Sequence, residues 1–154
     1  MSATITGLHR SDGGIPKMSI ASAEITFAGL AGDRQRNLKF HGGPDRAICL
    51  LAQEIIDDLA AQGHPIRAGS TGENITIAGL DWGMLVSGVR LSLGGTVVLE
   101  ITSYTAPCSN IAKSFVGGAI DCLDQKKHPG HARLYARVLT AGTLTVGDAV
   151  FTNT

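Results

Sequence analysis

The residues best suited to chemistry in this chain are Cys108 and its surroundings. Leu99-Glu100-Ile101-Thr102-Ser103 reads as a strand, Pro107 stops sheet pairing, and Cys108-Ser109-Asn110-Ile111-Ala112-Lys113 reads as the first turn of a helix. A thiol at a helix N-terminus meets unpaired backbone N–H groups and the positive end of the dipole, which favour its thiolate. The thiolate is both the nucleophile and the metal ligand. Most free cysteines are small buried hydrophobes, but a Pro-Cys junction at a strand exit lies where sites cluster. Cys108 is therefore the expected functional thiol.

Three other stretches carry polar chemistry. Gly29-Leu30-Ala31-Gly32-Asp33-Arg34 is followed by His41-Gly42-Gly43-Pro44-Asp45-Arg46. Glycines allow close backbone approach to a ligand, and Arg34 and Arg46 can each hold a phosphate with paired hydrogen bonds. Read as plain turns, the same residues would use Asp33 and Asp45 to cap backbone N–H groups. In Thr71-Gly72-Glu73-Asn74, Glu73 could carry a proton and Asn74 could donate to a polar ligand. An ordinary turn bonded by Thr71 and Asn74 is an equal alternative. His128-Pro129-Gly130-His131 lies near Cys122 and Asp124, but Pro-Gly breaks a regular ligand face and no Cys pair completes it. A solvated turn is expected there, and His9 and His64 receive no role.

The elements that must position these residues are mostly short strands. Twenty glycines and few aromatics point to tight turns. The expected strands are 3–8, 24–27, 47–51, 74–77, 89–93, 96–103, 134–140 and 149–152, with turns at Gly94-Gly95 and Ala141-Gly142. One helix is well signalled over 53–62: Ile55, Ile56 and Leu59 form an apolar stripe, and Gly63 stands where a C-terminal cap belongs. Such a chain predicts a mainly β, barrel-like single domain with a few short helices.

Composition narrows the function classes. With 154 residues, 44% hydrophobic and 17% charged, the chain can bury a core. Thirteen basic residues balance thirteen acidic ones, so no global field attracts nucleic acid or an anionic membrane, and any anion must be held by a local cluster. The N-terminus lacks the pattern of a signal peptide, and no run approaches a membrane span. Cys49, Cys108 and Cys122 are odd in number with no CxxC, which suggests free thiols in a reducing cytoplasm.

Taken in order, Gly-Asp-Arg at 32–34, His-Gly-Gly-Pro-Asp-Arg-Ala at 41–47, Thr-Gly-Glu-Asn at 71–74 leading to Gly-Leu-Asp-Trp at 79–82, Pro107-Cys108 and Leu-Tyr-Ala-Arg-Val-Leu at 134–139, with Val146-Gly147-Asp148 after it, resemble a MOSC domain, named after the C-terminal part of molybdenum cofactor sulfurase. The resemblance runs from about Ile25 to Val150, and implies one domain over residues 1–154 with a β-rich barrel. It implies that Cys108 carries sulfur as a persulfide or binds the molybdenum of the pterin cofactor, molybdopterin. It also implies that Arg34, His41, Gly42, Gly43, Arg46, Glu73 and Asn74 shape the cofactor pocket. Two classes of activity follow: sulfur transfer, or a molybdenum-dependent oxidoreductase or cofactor carrier. The implied partners are a cysteine desulfurase, whose pyridoxal phosphate belongs to that separate protein, or a molybdoenzyme acting in trans. Exposed edge strands leave room for a homodimer. The chain departs from the resemblance at Thr105, where many members have Arg three residues before the cysteine.

Overall fold

The computed structural model describes residues 3–33 and 43–153. Eleven strands are present there: β1 (Ala3–Arg10), β2 (Met18–Ile20), β3 (Ser22–Thr26), β4 (Gly29–Leu30), β5 (Ile48–Ala52), β6 (Ile75–Ala78), β7 (Arg90–Leu93), β8 (Val97–Tyr104), β9 (Leu134–Thr140), β10 (Gly142–Thr145) and β11 (Ala149–Asn153). One α-helix, α1, covers Gln53–Ala61. Every expected strand is found within two residues of its expected ends. No helix among the described residues is long and apolar enough to cross a membrane.

Seven strands close a barrel in the order β11-β7-β8-β9-β5-β6-β1, with β1 pairing back onto β11. β2 extends β1 outside the ring, and β10-β3-β4 form a separate three-stranded sheet. Closure leaves the seven ring strands without the open edge of a flat sheet. The interior is aliphatic: Ile5, Leu50, Ile75, Leu91, Leu99 and Leu134 are almost wholly buried. Alternation of inward and outward side chains explains most of this pattern, but β5 is buried at all five positions. A strand covered on both faces reads as a continuous apolar run, as Ile48–Ala52 does.

β5 and β6 are parallel, with Leu50 opposite Ile75. A parallel pair needs a crossover rather than a hairpin. α1 supplies it, burying Ile55, Ile56 and Leu59 as the sequence spacing predicts. Gln62 caps the helix and Gly63 follows at φ 98°, a conformation glycine adopts without a Cβ penalty. The chain then returns through residues 64–74 to the start of β6.

Two expectations are corrected. The Ala141-Gly142 turn does not join a hairpin, because β10 leaves β9 and pairs instead with β3, Leu144 opposite Ala23. It is a corner between sheets, and β2, β4 and β10 were too short or too polar to stand out. The helix expected from Cys108 is a six-residue 3-10 helix, Ser109–Ser114, with Cys108 as N-cap and no side-chain cap bond. Six residues align few peptide dipoles, so the helix supplies little of the electrostatic activation expected at Cys108. By contrast, the Gly94-Gly95 turn does link β7 to β8, both glycines having positive φ.

Candidate functional site at one mouth of the barrel

Strand register brings the site together. Cys49 on β5 stands opposite Tyr135 on β9, and Tyr135 also pairs with Ser103 near the end of β8. Leu50, next along β5, faces Ile75 at the start of β6. Residues 103–104 of β8, 134–135 of β9, 49–50 of β5 and 75 of β6 thus lie side by side at one mouth of the barrel. The segments joined to them, Ser70–Asn74 and Thr105–Cys108, converge there.

A cavity of about 410 Å³ opens at this mouth. Cys108, half-buried, lines it together with Ser109, Asn110 and Ile111 of the 3-10 helix. Ser70, Thr71 and Gly72 form another wall, with Ile15 and Pro16 from the loop before β2. Cys49, Arg133 and Tyr135 also line it, each nearly buried, and no carboxylate does so among the described residues. Such a size and mixed lining suit a small organic ligand with an anionic group.

Two buried cations reach this cavity and differ in how they are neutralised. Lys17 Nζ lies 2.7 Å from Asp33 Oδ2, with both side chains only 5% exposed. Asp33 also accepts from Ser11 N and Asn74 Nδ2, so its charge is fully engaged. Arg133 is 4% exposed and makes no ion pair among the described residues. Its Nη1 donates to Thr71 O at 2.6 Å and its Nη2 to Ala106 O at 3.3 Å, while the buried Nε has no hydrogen-bond partner there. An arginine so placed clamps the Ser70–Asn74 loop to the Pro107-Cys108 loop, and leaves a donor and a charge unanswered.

The thiols are unlike one another. Cys49 Sγ sits 3.7 Å from Thr105 Oγ1, and burial pushes its pKa up against the opposing pull of Arg133 and Lys17. Burial likewise drives Tyr135 up to about 12, so it remains a neutral hydroxyl. Cys122 is half-buried and lies 3.9 Å from His64 Nε2. His64 Nδ1 accepts from Val116 N, so Nε2 carries the ring proton and cannot take one from the thiol.

Other expected site residues fall in three places. Glu73 and Asn74 stand behind the cavity wall, wholly buried and bonded inward. Glu73 accepts from Gly69 N and Thr71 Oγ1, each at 2.9 Å. Asn74 Oδ1 accepts from Cys49 N at 3.0 Å, and its backbone bonds both Cys49 and His9. A carboxylate and an amide so saturated hold Thr71 and Cys49 in position and leave little capacity for a ligand. Gly43 and Arg46 are exposed in the turn before β5, where the Arg46 guanidinium lies 5.7 Å from the Tyr135 ring centroid, within cation–π range. Arg34, His41 and Gly42 lie outside the described residues. His128 and His131 stack at 5.9 Å in an exposed turn.

Sequence reasoning missed Arg133, Lys17 and Tyr135. Alternation along β9 sets Arg133, Tyr135 and Arg137 on one face, which a reader assigns to solvent. Only Arg137 stays there, 3.4 Å from Asp45 and 3.6 Å from Glu100. The two residues nearest the barrel mouth are roofed by the site loops. His9 was also more than a lone ring: its Nε2 is 3.0 Å from Thr76 Oγ1, and burial lowers its pKa despite the nearby Glu73.

A family model of the MOSC domain matches residues 37–151. The chain is 30% identical over 138 residues to the Bacillus subtilis protein YflK, covering 87% of this chain and 60% of YflK. It is 30% identical over 95 residues to Protein YiiM of Escherichia coli, covering 59% of this chain and 42% of that one. This chain thus spans less than two thirds of either relative's length. The fold is shared with the YUAD protein of Bacillus subtilis (TM-score 0.77, 20% identity, 97% of this chain and 94% of that one). It is also shared with YiiM of Geobacillus stearothermophilus (TM-score 0.78, 23% identity, 99% and 75%). A closed β-barrel, the ordered glycine and acidic motifs, and the match over three quarters of its length make this chain a member of the MOSC domain family.

Proposed function

We propose that this chain is a sulfur-carrier domain of molybdenum-cofactor metabolism, with Cys108 as the carrying thiol. The observation that supports this most is the position of Cys108, a half-exposed thiol on a cavity that also holds the buried charge of Arg133. Cys49 is buried and disfavoured as a thiolate, and Cys122 lies against a histidine unable to take its proton. In the transfer, the Cys108 thiolate attacks the terminal sulfur of a persulfide on a separate cysteine desulfurase. A new S–S bond forms at Cys108, the donor's S–S bond breaks, and the donor cysteine leaves as thiolate. The desulfurase brings its own pyridoxal phosphate, and a molybdoenzyme is the acceptor. Free thiols fit a reducing, cytoplasmic setting.

A second reading is favoured by the size of the cavity and by the unanswered donor of Arg133. In it, Cys108 is a ligand to molybdenum and the chain holds molybdopterin as an oxidoreductase or carrier. The donor set fits such a group: a soft thiol suits a metal–sulfur centre, and a buried cation suits an anionic ligand. The metal would supply electron transfer, while Arg133, Ser70 and Ser109 would bind and orient the ligand.

One preparation separates the readings. Protein from a molybdenum-replete host is assayed for molybdenum by elemental analysis, for pterin by fluorescence, and for one added sulfur by intact mass after incubation with a desulfurase and cysteine. A metal-free protein that gains one sulfur at Cys108 supports the carrier, whereas stoichiometric molybdenum supports the second reading. Cys108→Ser should abolish whichever is found with a change in stability of less than about 0.5 kcal/mol. Wild-type sulfur and metal content in that variant would sink both.

A further inference from the structure

We propose that Arg133 is the anion-binding residue of this cavity, holding a phosphate-type oxyanion on the edge of its guanidinium formed by Nε and Nη2. The inference rests on Cys108 marking a ligand cavity, and deepens that reading by naming the charged part of the ligand. A buried cation with no carboxylate partner is costly unless something anionic answers it. Among the described residues nothing does: Lys17 takes Asp33, Glu73 is held by Gly69 N and Thr71, and the cavity wall has no acid. The guanidinium itself shows which edge is least satisfied. Nη1 makes a short bond to Thr71 O, whereas Nη2 reaches Ala106 O at only 3.3 Å and Nε bonds nothing.

That Nε–Nη2 edge is the planar fork that matches two oxygens of a phosphate or sulfate. An oxyanion there would replace the long bond to Ala106, two residues before Cys108, and set the anion beside the thiol. Ser70, Ser109 and the exposed Lys113 line the same space and add donors. Thr105, where the family resemblance leads one to expect Arg, has its backbone N–H bonded to Arg133 O at 2.8 Å. In this chain the cation enters from the residue just ahead of β9 instead of from the loop ahead of the cysteine.

The test is protection of Cys108 from iodoacetamide, read site by site by mass spectrometry at matched ionic strength. Inorganic phosphate is one probe, and guanosine 5′-monophosphate, a phosphate ester on a bicyclic base, is the other. Both should slow Cys108 saturably and leave Cys122 unaffected. Tighter protection by the ester points to a phosphorylated ligand, and equal protection to a free oxyanion. Arg133→Gln should weaken protection about tenfold or more, the usual effect of losing a charged hydrogen bond. Arg133→Lys, which keeps the charge and a donor for Thr71 O, should fold if Arg133→Gln does not. It should still lose affinity for want of the fork. No protection in the wild type, or undiminished protection in a folded Arg133 variant, would overturn the proposal. Calorimetry of phosphate binding to Cys108→Ser separates this proposal from the role of the thiol: retained phosphate binding with wild-type sulfur or metal content leaves Arg133 in place and removes the thiol, whereas retained binding with lost sulfur or metal upholds both.

Discussion

Two neighbouring regions of this barrel mouth are built from similar residues and end in opposite states. Along and behind the wall, Asp33, Lys17, Asn74, Glu73 and His9 form a polar belt in which each charge and amide has found a partner. On the wall, Arg133 is equally buried yet keeps an unbonded Nε and no counter-ion among the described residues. A saturated network rigidifies a fold, because every loss leaves a buried group unsatisfied. An unsaturated group at a cavity is where a ligand can add to the balance. Of the polar motifs in the sequence, Thr71–Asn74 therefore serves mostly the first region, while Arg133, which belongs to no obvious motif, serves the second.

The sharpest way to break this contrast is at Asp33. Asp33→Ala leaves Lys17 charged and buried without its partner and strips Asn74 Nδ2 of its shorter bond. Breaking a buried pair from one side costs about 3–5 kcal/mol. Chemical denaturation should show that loss, whereas the rate of Cys108 alkylation in protein still folded should stay near wild type. A stability loss close to zero would mean that the belt is not the scaffold described.

Thr105→Arg is the next test. From sequence alone it promises to restore a missing charge beside Cys108 and raise its thiolate fraction. In the structure Thr105 is 2% exposed and its hydroxyl meets Cys49 Sγ and Tyr135. A guanidinium there has no room and would stand against Arg133. Overpacking of about 1–3 kcal/mol is expected, seen as a lower melting temperature, with no gain in Cys108 reactivity. A faster Cys108 at unchanged stability would show that the site has space for a second cation.

The smallest effect concerns pH. Burial holds the His9 pKa below its ordinary 6.5, with Lys17 and Arg67 adding to the lowering and Glu73 opposing it. The folded protein then keeps His9 neutral while the unfolded chain protonates it, so the unfolded state binds more protons. Stability from this residue is fully present above pH 6.5 and is lost as pH falls from there towards the lowered folded value. Melting temperature should decline across that window and decline less in His9→Gln. Equal slopes would remove His9 from the belt's energetics.

Much of the barrel was legible because alternation and glycine punctuation are local. β9 was placed to the residue at Leu134–Thr140, and α1 to within one residue of its end, since the apolar spacing of Ile55, Ile56 and Leu59 leaves one face to bury. Short elements such as β4 and β10 were not legible, because two to four residues carry no period and owe their pairing to β3.

By itself the sequence determined eight of the eleven strands, the α-helix and the family, because each rests on local pattern or ordered motif. What a polar residue does at the barrel mouth was decided only by tertiary structure. Glu73 and Asn74 look like ligand groups until register turns them inward onto Gly69, Thr71 and Cys49. Arg133 looks like a solvent-facing strand residue until two loops roof it. Burial and the supply of hydrogen-bond partners are properties of what packs around a residue, and for Arg133 those neighbours come from segments 27 to 62 positions away.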